Sequence, residues 1–162
     1  MSVAQPLVSY FPADAFEVRC MSFFEEPIEI LLVEDSVSDA KLYERWLSES
    51  ALVKSIHLVR DGETALDFLR GDGPFTGVSP PDLVLLDVNL PRMGGLEVLA
   101  EVKSDSRLAK IPIVMMTSSV FEDDQRQAHE LQVDLFVRKP SDADEFTALV
   151  KSLEAFWRER NK

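Results

Sequence analysis

Polar side chains follow short apolar runs at four well separated places in this chain. Glu34 and Asp35 follow IEILLV, Asp87 follows DLVLL, Thr117 follows IPIVMM, and Lys139 follows DLFVR. Apolar runs of this length are typical of strands in a parallel sheet that is covered by helices on both faces. Such sheets bind ligands at the carboxyl ends of their strands. The sequence therefore predicts that these five side chains lie close together.

Three carboxylates, one hydroxyl and one ammonium have complementary uses around a phosphoryl group. Clustered carboxylates repel one another unless a divalent cation lies between them. Mg2+ is a hard cation that prefers oxygen ligands, and it fits this set of side chains. One carboxylate can then attack phosphorus while Lys139 and Thr117 contact the oxygens of the transferred group. The chemistry indicated is formation of an aspartyl phosphate.

Five pairs of strand and helix must position these residues. From Ile28 onward the apolar spacing alternates between strand and helix patterns, which indicates a parallel sheet. The predicted strands are 28–33, 55–59, 83–86, 111–116 and 135–138, and the predicted helices are 38–50, 62–70, 95–104, 122–131 and one that begins near 141. The fourth helix has few apolar residues, so we expect it to be weakly held. Glu145 is placed to complete a capping box at the last helix.

The same motifs resemble a known family. From about Ile28 to Trp157 the chain resembles the receiver domain of two-component response regulators, through Glu34-Asp35, through Asp87 in LLDVNLPRMGG, and through Thr117-Ser118 and Lys139-Pro140. This resemblance implies a doubly wound α/β fold with a five-stranded parallel sheet in the flavodoxin-like order 2-1-3-4-5 and five helices. It also implies a receiver domain over 28–160. Residues 1–27 are then an N-terminal extension that we expect to be flexible or non-native.

The resemblance implies a role for each metal and phosphate residue. Asp87 would accept a phosphoryl group from the phosphohistidine of a sensor histidine kinase. Asp35 and Asp87 would bind Mg2+ directly, Glu34 would bind it through a water molecule, and Asn89 would contribute its backbone carbonyl. Lys139 would pair with Asp87 before phosphorylation and offset the phosphoryl charge afterwards.

Further positions resemble those that report and tune phosphorylation in the family. Thr117 and Phe136 match a switch pair, in which the hydroxyl moves to a phosphoryl oxygen and the ring fills the vacated space. Asn89 and Ser119 match positions that tune how fast the phosphoryl group is lost to water. The bond between Lys139 and Pro140 is often cis in the family, and we predict a cis bond here.

Each of these residues also has an ordinary structural interpretation. Asp87 could cap the turn toward Leu90 and Pro91. Asp35 could cap the first helix, Lys139 could be a surface lysine at a strand end, and Phe136 could be an ordinary strand aromatic. The functional interpretation depends on all the residues occurring in order after apolar runs.

Composition excludes several function classes. The chain has 162 residues and a formal charge of −12, which argues against binding to a nucleic-acid backbone. Its apolar runs are far too short for a membrane span.

The first eighteen residues lack Lys and Arg, so they do not resemble a signal peptide, and we expect a cytoplasmic protein. Cys20 is the one cysteine, which rules out an intramolecular disulfide and is most simply a passive residue.

Within the family, three segments resemble the small response regulators that partner bacterial phytochromes: DVNLPRMGGLEVLAEVK, IPIVMMTSS and EAFW. That resemblance implies a single-domain regulator whose only chemistry is its own phosphorylation and dephosphorylation. It also implies a homodimer through the terminal helix, with Phe156 and Trp157 at the interface. One alternative is a receiver-like adaptor that is never phosphorylated. A second is a metal-dependent phosphohydrolase, which would usually carry a carboxylate where this chain has Asn89.

Overall fold

The structure, a computed structural model, describes residues 26–118 and 121–161. The predicted extension lies outside this range except for Glu26 and Pro27. Cys20 and Ser119 also lie outside the described residues, so their predicted roles stay predictions.

Five parallel strands form one sheet in the order β2-β1-β3-β4-β5, which confirms the predicted fold. The strands are β1 (Ile28–Val33), β2 (Val53–Val59), β3 (Leu83–Asp87), β4 (Ile113–Thr117) and β5 (Leu135–Arg138). The helices are α1 (Val37–Ser48), α2 (Gly62–Arg70), α3 (Gly95–Ser104), α4 (Glu122–Glu130) and α5 (Ala143–Arg160), with a short 3-10 turn at Gly73–Phe75.

Helices cover both faces of the sheet, and this explains the apolar runs. Successive strand residues point to opposite faces, so Leu31 and Val33 of β1 pack on one side while Ile30 and Leu32 pack on the other. Helices α2, α3 and α4 bury the first face, and α1 and α5 bury the second. Among the described residues, no helix has the length and apolar character that crossing a bilayer requires.

Polar side chains define where three of the helices begin. Ser36 caps α1 by accepting a hydrogen bond from the backbone N–H of Asp39, at 3.3 Å. Asp61 caps α2, and Asp142 caps α5 by accepting from the backbone N–H of Glu145. The Glu145 carboxylate reaches back as predicted, although it accepts from the N–H of Ser141 rather than from that of the cap residue.

Two local predictions are corrected. Strand β4 begins at Ile113 rather than at Ile111, because the Ile111 N–H donates to a turn carbonyl and Pro112 has no N–H for the ladder. The predicted cis bond before Pro140 is wrong, since none of the described peptide bonds is cis. The trans form is favoured by about 0.5–1 kcal/mol. Before this bond, the N–H of Lys139 donates to Thr117 O, which extends the pairing of β4 and β5 by one residue.

Candidate functional site

The strand ends bring the predicted site residues to one edge of the sheet. Glu34 follows β1, Asp87 ends β3, Thr117 ends β4 and Lys139 follows β5. Asp87 pairs in register with Met116, so β3 and β4 end at nearly the same level. Because the strands are parallel, their carboxyl ends meet at this edge.

Lys139 is the electrostatic centre of the site. Its Nζ lies 2.7 Å from Glu34 Oε2 and 2.9 Å from Asp87 Oδ2. The Glu34 side chain is fully buried, and the side chains of Asp87 and Lys139 are only 3% and 11% exposed. Charged groups are rarely buried unless they are paired, so the ammonium is what permits two carboxylates at this depth.

Asp35 completes a group of three carboxylates. Oxygen atoms of Glu34, Asp35 and Asp87 all lie within 4.8 Å of one another, with Asp35 exposed and the other two buried. Helix α1 is capped by Ser36, so the alternative use of Asp35 as its cap does not occur. Oxygen ligands at this spacing, open to solvent on one side, suit a hard divalent cation.

The pKa values of Glu34 and Lys139 reflect their burial and the hydrogen bond between them. Burial raises the pKa of Glu34 to about 7, and the nearby Asp87 charge adds to this, although the hydrogen bond from Lys139 opposes both. Burial alone would lower the pKa of Lys139, but its hydrogen bonds to Glu34 and Asp87 outweigh that effect and raise it. One ammonium therefore does not neutralise the carboxylates, and a divalent cation would favour their ionised forms.

Asp87 is held through both of its oxygens. Oδ2 accepts a hydrogen bond from Lys139, and Oδ1 accepts one from the backbone N–H of Asn89 at 3.0 Å. The bond from Asn89 closes a short local turn, so Asp87 also caps a turn, as its ordinary structural interpretation predicted. The two bonds are compatible and together they fix the direction of the carboxylate.

Gly95 was not singled out from the sequence, yet it contacts the backbone of Asp87. Its N–H donates to Val88 O at 2.9 Å, and a Cβ built on Gly95 would lie 2.2 Å from Asp87 O. A side chain cannot fit at that distance, so the helix α3 can begin this close to β3 only because residue 95 is glycine. The GG pair in RMGG was the available signal.

Thr117 and Phe136 lie on the neighbouring strands β4 and β5. Thr117 is fully buried at the end of β4. Phe136 is half-buried in β5, where it pairs in register with Met115 and packs against the core face covered by α2, α3 and α4. The two residues therefore lie between the carboxyl ends of the strands and a packed core.

Asn89 lies in the loop that follows β3. Its side chain is exposed at the same edge of the sheet. Its backbone N–H is the group that contacts Asp87.

Comparison with known proteins agrees with this geometry. The profile of the response regulator receiver domain matches residues 30–151. Response regulator Rcp1 of Synechocystis is 39% identical over 133 residues, which are 82% of this chain and 90% of that protein.

Solved structures give the same result. The phosphorylated cyanobacterial phytochrome response regulator RcpA superposes with a TM-score of 0.75 at 39% identity, over 82% of this chain and 94% of that one. The Mn2+-bound form of Rcp1 gives a TM-score of 0.73 at 39% identity, over 82% of this chain and 96% of that one. With five strands in receiver order and a profile match over three quarters of its length, the chain belongs to the response regulator receiver domain family.

Proposed function

We propose that this receiver domain accepts a phosphoryl group on Asp87 from the phosphohistidine of a sensor histidine kinase, with Mg2+ as cofactor, and that phosphorylation changes its contacts with other proteins. The observation that carries the proposal is the position of Asp87. It is buried, held through both oxygens, and joined to Lys139 within the three-carboxylate group.

In the transfer step, a carboxylate oxygen of Asp87 attacks phosphorus and forms the new P–O bond. The P–N bond of the phosphohistidine breaks, and its electron pair stays on the imidazole nitrogen. The backbone N–H of Asn89 orients the Asp87 carboxylate, and the Lys139 ammonium turns from Asp87 to the phosphoryl oxygens, where it offsets their charge.

The donor set fits Mg2+. Asp35 and Asp87 would bind it directly, Glu34 through a water molecule, and Asn89 through its backbone carbonyl. When bound, the cation supplies positive charge that offsets the carboxylates and the phosphoryl oxygens. The Mn2+-bound structure of the relative Rcp1 supports a divalent cation in this family.

Thr117 and Phe136 would carry the signal away from Asp87. The fully buried Thr117 ends β4 at the same edge as Asp87, so its hydroxyl could move to a phosphoryl oxygen. The half-buried Phe136 lies on the next strand, and its ring would fill the space that the hydroxyl vacates. A switch needs such an element with two arrangements whose balance the new charge shifts. Asn89 and Ser119 would set the lifetime of the phosphoryl group.

Similarity to RcpA, a phytochrome response regulator, supports a bacterial phytochrome as the histidine kinase. Co-purification of the chain with its kinase from the source cells would test this partner. A homodimer through Phe156 and Trp157 and a cytoplasmic location are parts of the same proposal.

The test of the phosphoacceptor is an intact-mass measurement after incubation with Mg2+ and acetyl phosphate. We expect the wild type to gain one phosphoryl group, and Asp87→Asn to gain none. Asp67→Asn is the matched control, because Asp67 is exposed on α2, away from the carboxylate group, and should be phosphorylated like the wild type.

Two results would contradict the proposed function, and each would favour a different alternative. A wild type that gains no mass would favour the unphosphorylated adaptor. Multiple turnover of a small phosphate ester would favour the phosphohydrolase, although Asn89 stands where that class places its general acid.

A further inference from the structure

A fourth carboxylate, that of Asp39, lies within ion-pair distance of Lys139. Asp39 Oδ2 is 3.7 Å from Lys139 Nζ. The Asp39 side chain is 43% exposed, whereas those of Glu34 and Asp87 are almost fully buried. Asp39 therefore approaches the ammonium from the solvent side of the site.

The local structure of α1 holds Asp39 in this place. Its backbone N–H donates to the capping Ser36 Oγ, which fixes Asp39 in the first helical turn. Tyr43 follows one turn later on the same helix face and is 3% exposed, so it fills the space beneath. Burial raises the pKa of Tyr43 to about 12, so the phenol stays neutral and does not compete for the ammonium.

Asp39 is not part of the group that could hold the cation. That group consists of Glu34, Asp35 and Asp87 among the described residues. Asp39 therefore acts on the site through Lys139 and through its charge, rather than as a ligand.

Its charge has two opposed effects. Three carboxylates lie within ion-pair distance of one ammonium, and the Asp35 carboxylate lies beside two of them, so the negative charge of Asp39 favours a divalent cation. The same charge disfavours an approaching phosphodonor, which is an anion. It also competes with the phosphoryl oxygens for Lys139, because the ammonium must leave its carboxylate partners to meet them.

We propose that Asp39 is a positioning residue for Lys139, and that its carboxylate draws the ammonium toward the mouth of the site, which strengthens cation binding and slows phosphoryl acceptance. The second part rests on the proposed function, whereas the first part does not.

The experiment compares the wild type with Asp39→Asn, which keeps the shape of the side chain and removes its charge. The Mg2+ dissociation constant is measured by calorimetry without a phosphodonor. The rate of phosphorylation by acetyl phosphate is measured at saturating Mg2+ by intact mass. We expect the dissociation constant to rise about two- to fivefold and the rate to rise about two- to fivefold, the range for a half-exposed charge pair.

Asp39→Glu should return both quantities toward the wild-type values, because it restores the carboxylate. Asp67→Asn removes the same charge from an exposed position on α2 and should change neither. General damage to the site would weaken Mg2+ binding and slow phosphorylation together, so the opposite directions separate positioning from a structural effect.

An unchanged Mg2+ dissociation constant in Asp39→Asn would overturn the inference, and so would a lowered rate. Should Asp39→Asn fold poorly, Asp39→Ser gives the same comparison. If the wild type takes up no phosphate, the proposed function fails, and the Mg2+ measurement still decides whether Asp39 acts on the site.

Discussion

The side chains of the site carry more negative than positive charge, and this imbalance determines their chemistry. Lys139 is within ion-pair distance of Glu34, Asp87 and Asp39. Such an arrangement cannot be optimal for stability alone, because buried carboxylates that lie close together raise the free-energy cost of one another's ionisation. It is instead suited to a site that gains stability when a cation arrives, by mass action.

Gly95 is the residue whose replacement should most directly disturb Asp87 without touching its carboxylate. Gly95→Ser places a Cβ 2.2 Å from Asp87 O, so the start of α3 or the end of β3 must move. We expect a loss of about 1–3 kcal/mol in the free energy of unfolding, as for other overpacked sites. Denaturant unfolding measures this loss, and the rate of phosphorylation should fall with it.

Gly94→Ser is the matched control. A Cβ on Gly94 would lie 3.8 Å from Val88 O, which is ordinary contact, and a serine at this position could cap α3. Its stability should change by less than about 0.5 kcal/mol. Equal losses in the two variants would show that the close approach at Gly95 is not what matters.

Among the helices and strands, Asp134 connects parts of the fold on the side away from the carboxyl ends of the strands. Its carboxylate accepts hydrogen bonds from Lys103 Nζ and from the backbone N–H of Ile113, both at 2.9 Å. Arg160, the last residue of α5, donates to the same carboxylate at 3.3 Å. One side chain thereby joins α3, the start of β4 and the end of α5.

We expect Asp134→Ala to lower the free energy of unfolding by about 1.5–3 kcal/mol. Asp134 and Lys103 are only 15% and 17% exposed, so removal of the carboxylate leaves a largely buried ammonium and a backbone N–H without their partner. Chemical denaturation gives the value.

The matched control is Asp123→Ala, which breaks the ion pair between Asp123 and Arg126. These side chains are 81% and 66% exposed, so the free energy of unfolding should fall by less than about 0.5 kcal/mol. If the two variants were equally stable, the connecting role of Asp134 would be excluded.

Across the domain as a whole, the proposed dimer contact lies far from Asp87. Helix α5 begins four residues after Lys139, near the carboxyl ends of the strands, and runs back along the sheet. Trp157 is fourteen residues into it, which is roughly 21 Å at about 1.5 Å per residue. There Trp157 and Asn161 line a groove of about 410 Å³ together with Pro27 and Ile28, at the opposite edge of the sheet.

Phosphorylation must therefore act over this distance if it strengthens the dimer. In sedimentation, we expect the phosphorylated wild type to associate more strongly than the unphosphorylated protein. Trp157→Ala should weaken that association by about tenfold or more, since interface aromatics often contribute over 1 kcal/mol. Its phosphorylation rate should stay at the wild-type value.

Phe121→Ala serves as the comparison, because Phe121 is 62% exposed and stands at the start of α4. Loss of the dimer in this variant, with Trp157→Ala unaffected, would move the interface away from α5. Trp157 is partly buried against the core, so thermal unfolding of Trp157→Ala should be checked in parallel.

Apolar patterning was enough to establish the order of elements and the identity of the residues at the strand ends. Strands buried on both faces must be apolar along their length, so the first polar residue marks where each strand leaves the core. That is why Glu34, Asp87, Thr117 and Lys139 could be located from the pattern of residue types alone. The order of the strands within the sheet followed from the family resemblance.

Which groups touch one another depends on the folded arrangement. Asp39 and Asp134 belong to contacts between residues 21 to 100 positions apart, and no local pattern encodes them. The GG pair was a local signal for Gly95, but its close approach to Asp87 O exists only in the folded chain. The bond before Pro140 could not be assigned from the sequence either, because the cis and trans forms of a bond to proline differ by only about 0.5–1 kcal/mol. Hydrophobic periodicity records burial, whereas pairing depends on distances that exist only after the chain has folded.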